Sequence, residues 1–178
     1  MVRLIGLLWL VVATAASAVE MSRQQQTLLL SLVGDWHGTM ELVDQQGKSQ
    51  QQQTRLRVKA RQDMRSLSIE RHFRHIDQTD SLVISSLGQP AKMVYRSRDN
   101  EQTFYSRTSN MQVLSADSWV LVQEHQAIEQ HRPATVRFTL QRNGSELSST
   151  KEIDFADDKY TFWQVRYKSR YQQLNPTQ

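Results

Sequence analysis

From residue 34 onward the chain alternates. Across Leu32 to Leu42, Trp36, Gly38, Met40 and Leu42 fall on one parity, and Asp35, His37, Thr39 and Glu41 on the other. That is the two-residue period of a strand with one face on a core and one in water. Thr54, Leu56, Val58 and Ala60 alternate with Arg55, Arg57, Lys59 and Arg61 in the same way, and Gln50 to Gln53 ahead of them reads as the exposed start of that strand. Further strands are expected at Arg65 to Ile76, Ser81 to Leu87, Lys92 to Ser97, Gln102 to Arg107, Met111 to Ser115, Ser118 to Ile128, Thr135 to Arg142, Ser145 to Phe155 and Tyr160 to Tyr171. Turn residues separate many of them: Gln45 to Lys48, Gly88-Gln89-Pro90, Asp99-Asn100, Asn143-Gly144 and Asp157-Asp158. Asn143-Gly144 is the strongest hairpin signal, because both residues tolerate positive φ. Successive strands with short turns and no helix between them predict an all-β domain, a single antiparallel up-and-down β-barrel of about 8–10 strands, with a sandwich as the alternative.

The helical period occurs once, before the first strand. Ser22 is placed to cap a short helix reaching about Leu32, in which Leu28 with Leu32 and Leu29 with Val33 share a side. It is expected to lid one end of the barrel. Ahead of it, Arg3 gives a positive start, Leu4 to Val12 an apolar run, and Ala16-Ser17-Ala18 a small-residue cleavage site. This is the layout of a secretory signal peptide, shorter than a membrane span. The expected organisation is a signal peptide over residues 1–18, a helical segment over 19–33, a barrel over 34–172 and a flexible tail over 173–178, exported to the periplasm or the exterior.

Composition narrows the function classes. The chain contains no cysteine, which removes disulfide frameworks and a lipid-modified cysteine. The formal charge is +4, and loss of Arg3 with the signal leaves +3. The basic residues are scattered among acids along the strands, as on a solvated surface. Export argues against nucleic acid as a partner, and no amphipathic basic helix speaks for stable membrane association.

The apolar parity would line the barrel with side chains such as Met40, Leu56, Tyr95, Trp119 and Val136, and certain polar residues share it: Arg71 and His75 on the third strand, Gln123 and His125 beyond Trp119, and Lys151 ahead of Ile153. A buried cation needs a partner, a rim position or an anionic ligand. A rim position or a one-residue slip is the plain structural reading of each. If Arg71 and Lys151 point inward together, they suit a carboxylate head group. His72 and His75, three apart, lie on opposite faces of a strand, and that spacing argues against a zinc site.

Gly34-Asp35-Trp36 with Gly38 two residues later, entered from a short apolar helix, resembles the Gly-x-Trp opening of the calycin superfamily, which includes lipocalins, fatty-acid-binding proteins and bacterial lipocalin-like barrels. The resemblance implies that Trp36 sits at the closed end and that a basic residue of the last strand, Arg166 or Arg170, packs across it. It also implies a ligand carried inside.

Together these readings point to an exported barrel that binds a small hydrophobic or amphiphilic ligand, fatty-acid-like if anionic. The ligand-facing residues would be Arg71, His75, Tyr95, Trp119, His125 and Lys151, with Gly34, Trp36, Arg166 and Arg170 structural, and no metal or required cofactor. The alternatives are a haem barrel using His75 or His125, a cavity hydrolase or isomerase using Glu124 or His125, and a filled barrel that meets a protein partner. No Gly-x-Ser-x-Gly elbow, phosphate-binding loop or His-Glu-x-x-His motif occurs, so an enzyme is the weaker expectation.

Overall fold

A computed structural model describes residues 24–44, 46–62, 66–74, 78–86, 92–97, 103–157 and 159–174. For 78–82, 85–86, 92–97 and 104 it describes the backbone path alone. The strands are β1 (Gly34–Val43), β2 (Ser49–Ala60), β3 (Ser66–Phe73), β4 (Gln78–Ser86), β5 (Lys92–Ser97), β6 (Thr103–Ser115), β7 (Ser118–Glu129), β8 (Arg132–Asn143), β9 (Glu146–Phe155) and β10 (Gln164–Gln173). Each pairs antiparallel with its neighbours in sequence, and β10 returns to β1, so the curled sheet closes on itself. One short helix, residues 24–30, precedes it. The signal segment, Ser22 and His75 lie outside the described residues.

Alternation places the faces as the sequence suggests. On β2, Thr54, Leu56 and Val58 are buried while Arg55, Arg57 and Lys59 are exposed. Gln52 departs from the expected exposed start of that strand: it is buried, on the inner parity. In place of two separate strands at 102–107 and 111–115 there is one, β6 (Thr103–Ser115), with register shifts between Thr108 and Asn110 and between Val113 and Ser115. A local bulge lets a strand bend without ending. The last strand begins at Gln164 rather than Tyr160. The Asp154 carboxylate accepts the Phe162 backbone N–H at 2.7 Å, and Tyr160 and Phe162 stand exposed in the connection.

Two glycines make closure feasible. Gly34 has φ +142, where L side chains are strained. Gly38 pairs with Tyr171 across the β1–β10 seam. A methyl group there would lie 1.9 Å from the Arg170 carbonyl oxygen and 2.7 Å from the Tyr171 Cα. The backbones approach too closely for any side chain.

The core divides in two. At the helix end, Leu28, Leu29 and Leu32 pack on Trp36, Leu56, Val58, Leu67, Ile84, Trp119, Leu121, Leu147 and Tyr171. A second, smaller cluster of Ala134, Val136, Ile153 and Phe155 lies toward the opposite end, joined by Ala127 and Phe138. That opposite end is called the mouth below.

Candidate functional site

The floor of the barrel is built from the helix and the start of β1. Trp36 is fully buried, and its indole N–H donates to the Leu32 carbonyl at 2.9 Å. Trp119 donates to the Ser31 hydroxyl at 3.2 Å, and Ser31 in turn donates to the Leu28 carbonyl at 2.5 Å. Gln25, also buried, donates to Thr108 of β6 at 3.1 Å. An indole can be buried without penalty only when its N–H is met, so both tryptophans fix the helix as a plug. Trp119 therefore belongs to this floor as much as to any ligand surface.

The cation over Trp36 is Arg142 of β8, with Cζ 5.5 Å from the ring centroid. This replaces the expected Arg166 or Arg170. Arg170 shares the outward parity with Lys168 because Ser169 and Tyr171 take the inside, and it pairs with Glu146 at 3.2 Å on the exposed wall. Arg166, next to the register shift between Val165 and Tyr167, donates to the Gln164 side chain at 3.1 Å. Arg142 is anchored by donating to the Gly144 carbonyl at 3.0 Å and to the Gln173 side-chain oxygen at 3.3 Å. Burial holds its guanidinium below the usual arginine range, against the pull of Asp117.

Between floor and mouth runs a polar band. On β2, Gln52 and Thr54 are buried; on β6 and β7, Ser106 donates to buried Gln123 at 3.3 Å; on β9 and β10, Ser149 and Ser169 share a hydrogen bond of 2.6 Å. Arg71 faces inward on β3, opposite Leu56, and its guanidinium lies 5.8 Å from the Tyr167 ring centroid. Burial pushes the Tyr167 phenol up from its usual 10.0, Arg71 works against this, Tyr171 adds to it, and hydrogen bonds with Ser149 and Arg71 pull it down. Tyr167 also meets Phe138 at 6.4 Å between ring centroids, and His125 stacks on Phe138 at 5.8 Å.

His125, Arg71 and Lys151 thus converge on one inner region, as their parity suggested. Arg71 and Lys151 do not form a paired dication, because Lys151 donates to the Glu129 carboxylate at 2.7 Å. Burial holds the His125 imidazole below its usual 6.5; Lys151 adds to this and Glu129 opposes it. The Tyr95 backbone is in register with Ile84 and Phe104, and its side chain lies outside the described residues. Glu124 is an outward partner of Arg137 at 2.8 Å, not a neighbour of the His125 ring across the wall. Among the described residues no group of three or more His, Asp or Glu is arranged to hold a metal ion.

Tyr167, Tyr171, Ser149, Ser169 and Gln52 were not singled out in the sequence. Their parity was legible, since each is an even number of residues from Leu147, Trp163 or Thr54, positions that the apolar pattern assigns to the inner face. What hid them was polarity, which normally marks the outer face. Trp163, on the apolar parity, instead lies half-buried against the Arg137 guanidinium at 3.6 Å.

No family model and no curated protein matches this chain. Among solved structures it is similar to Rv2717c from M. tuberculosis, with 11% identity, a TM-score of 0.57, and coverage of 82% of this chain and 94% of that one. At that identity the likeness extends to the all-β, curled antiparallel fold. No helix among the described residues is long and apolar enough to cross a membrane.

Proposed function

We propose that this protein is an exported, lipocalin-like carrier that binds a small hydrophobic or amphiphilic ligand within the barrel without transforming it. The observation that carries the reading is the layering of the interior. A helix-sealed apolar floor and an apolar cluster toward the mouth enclose a band of buried polar side chains that includes Gln52, Thr54, Gln123, Ser149 and Ser169. Polar groups set among apolar walls fix the orientation of a ligand that has both kinds of surface. The opening Gly34-Asp35-Trp36, with Trp36 at the plugged end, is in keeping with the calycin resemblance of the sequence, and the signal-like residues 1–18 support export.

Native mass spectrometry of the protein purified from the exported fraction tests this, followed by extraction of bound material. A stoichiometric small amphiphile is the expected result. A bare mass that stays unchanged on challenge with fatty acids, long-chain alcohols and apolar dyes would sink the carrier reading.

A further inference from the structure

Of the buried side-chain atoms that lack a hydrogen-bond partner among the described residues, three lie together inside the barrel: Gln52 Oε1, Thr54 Oγ1 and Tyr171 Oη. Their residues are 7%, 5% and 2% exposed, respectively. They are also neighbours. Thr54 and Tyr171 stand in register on either side of Gly38, and Gln52 lies two residues from Thr54, opposite Met40. Gly38 leaves bare backbone between them, and no residue with a Cβ fits there. A buried polar atom left unmet costs far more than a met one contributes, so such a cluster needs an explanation.

The interior cations tell what the cluster does not call for. Lys151 is held by Glu129, Arg142 lies over Trp36 and donates to Gly144 and Gln173, and Arg71 lies against the Tyr167 ring. The unmet groups around Gly38 are neutral. A carbonyl oxygen such as Gln52 Oε1 can only accept, so whatever meets it must donate, while the two hydroxyls can donate or accept. A carboxylate has no proton to give to Gln52.

Building on the carrier reading, we propose that Gln52, Thr54 and Tyr171, around Gly38, bind the neutral hydrogen-bond-donating head of an amphiphile. The class is a long-chain alcohol, a monoacylglycerol or another hydroxyl- or amide-bearing lipid, in place of an ionised fatty acid.

The test uses the delipidated protein and two probes of equal chain length, dodecanol and dodecanoate, titrated calorimetrically at about pH 8, where the acid is ionised. Dodecanol is expected to bind about ten-fold or more tighter. Thr54→Val and Gln52→Leu should each weaken dodecanol about five- to ten-fold and leave dodecanoate unchanged. Tyr171→Phe and Thr54→Val should leave the Tm of the empty protein unchanged or raise it, because each removes a hydroxyl that nothing meets. Dodecanoate binding as well as or better than dodecanol would overturn the head assignment and leave the carrier reading standing. Failure of both probes would overturn both. A fall in Tm of the empty Tyr171→Phe and Thr54→Val proteins would show these hydroxyls already partnered, and would overturn the inference.

Discussion

At the helix end, two indoles give their N–H groups to the plug, Trp36 to the Leu32 carbonyl and Trp119 to the Ser31 hydroxyl, and leucines fill the space between. Toward the mouth, guanidinium groups do much of the holding. Arg132 lies 3.9 Å from the Phe155 ring centroid and forms an ion pair with Asp157 at 2.6 Å; Arg137 lies 3.6 Å from the Trp163 ring and pairs with Glu124 at 2.8 Å. The floor is held mainly by packing and indole hydrogen bonds, with Arg142 over Trp36, whereas the mouth is tied by ion pairs on half-exposed side chains. Salt and pH should therefore act on the mouth first, and mutations to smaller residues on the floor. The proposed carrier role requires this asymmetry, since one end must stay shut while the other admits the cargo.

The largest effect tests what both ends share, the closure of β1 on β10. Gly38→Ala puts a methyl group where a carbonyl oxygen already sits. We expect a loss of more than about 4 kcal/mol or no folded product, read by urea unfolding and yield. The floor comes next. Trp36→Ala should cost about 3–5 kcal/mol, with Trp36→Phe retaining most of the packing and losing the single hydrogen bond. An equal loss from both would mean that the indole N–H, rather than ring volume, holds the plug. Toward the mouth, Glu129→Gln leaves Lys151 without its carboxylate and should cost about 1–3 kcal/mol. It should also move the His125 titration lower, visible by NMR, because Glu129 now raises it.

The smallest effect is the pH slope. Burial lowers the folded His125 below 6.5, so near and below that pH the unfolded chain binds the additional proton. Its contribution is complete above 6.5 and lost as the pH falls through the folded value. His125→Gln should flatten unfolding free energy measured between about pH 7 and 5. A slope of unchanged steepness would assign the effect elsewhere.

Strand alternation made the sheet legible because its period is intrinsic to the backbone. Val58 inside and Arg57 outside follow from it directly. The bulge in β6 was missed since it preserves hydropathy while shifting the register, and the turn at Gln130 and His131, with φ 55 and 62, has no glycine or asparagine to announce it. The inner position of Arg71 was readable from its parity. That Lys151 would choose Glu129, and that Arg142 rather than a residue of the last strand would cover Trp36, depends on how ten strands are staggered around a ring. Such stagger is set by closure, which no local window of sequence contains.

That closure also dictates when the molecule can be finished. The seam joins Trp36 to Gln173, almost the whole described chain apart, so every other strand pair can zip as it emerges while the ring waits for the ten residues of β10. Until then β1 and the latest strand present open edges, the template for association with other copies. Long-range pairing of this kind slows folding. A chain trimmed within β10 should thus accumulate as aggregates rather than as a nine-stranded barrel, and in the cell the interval before β10 arrives is the one a chaperone would have to guard.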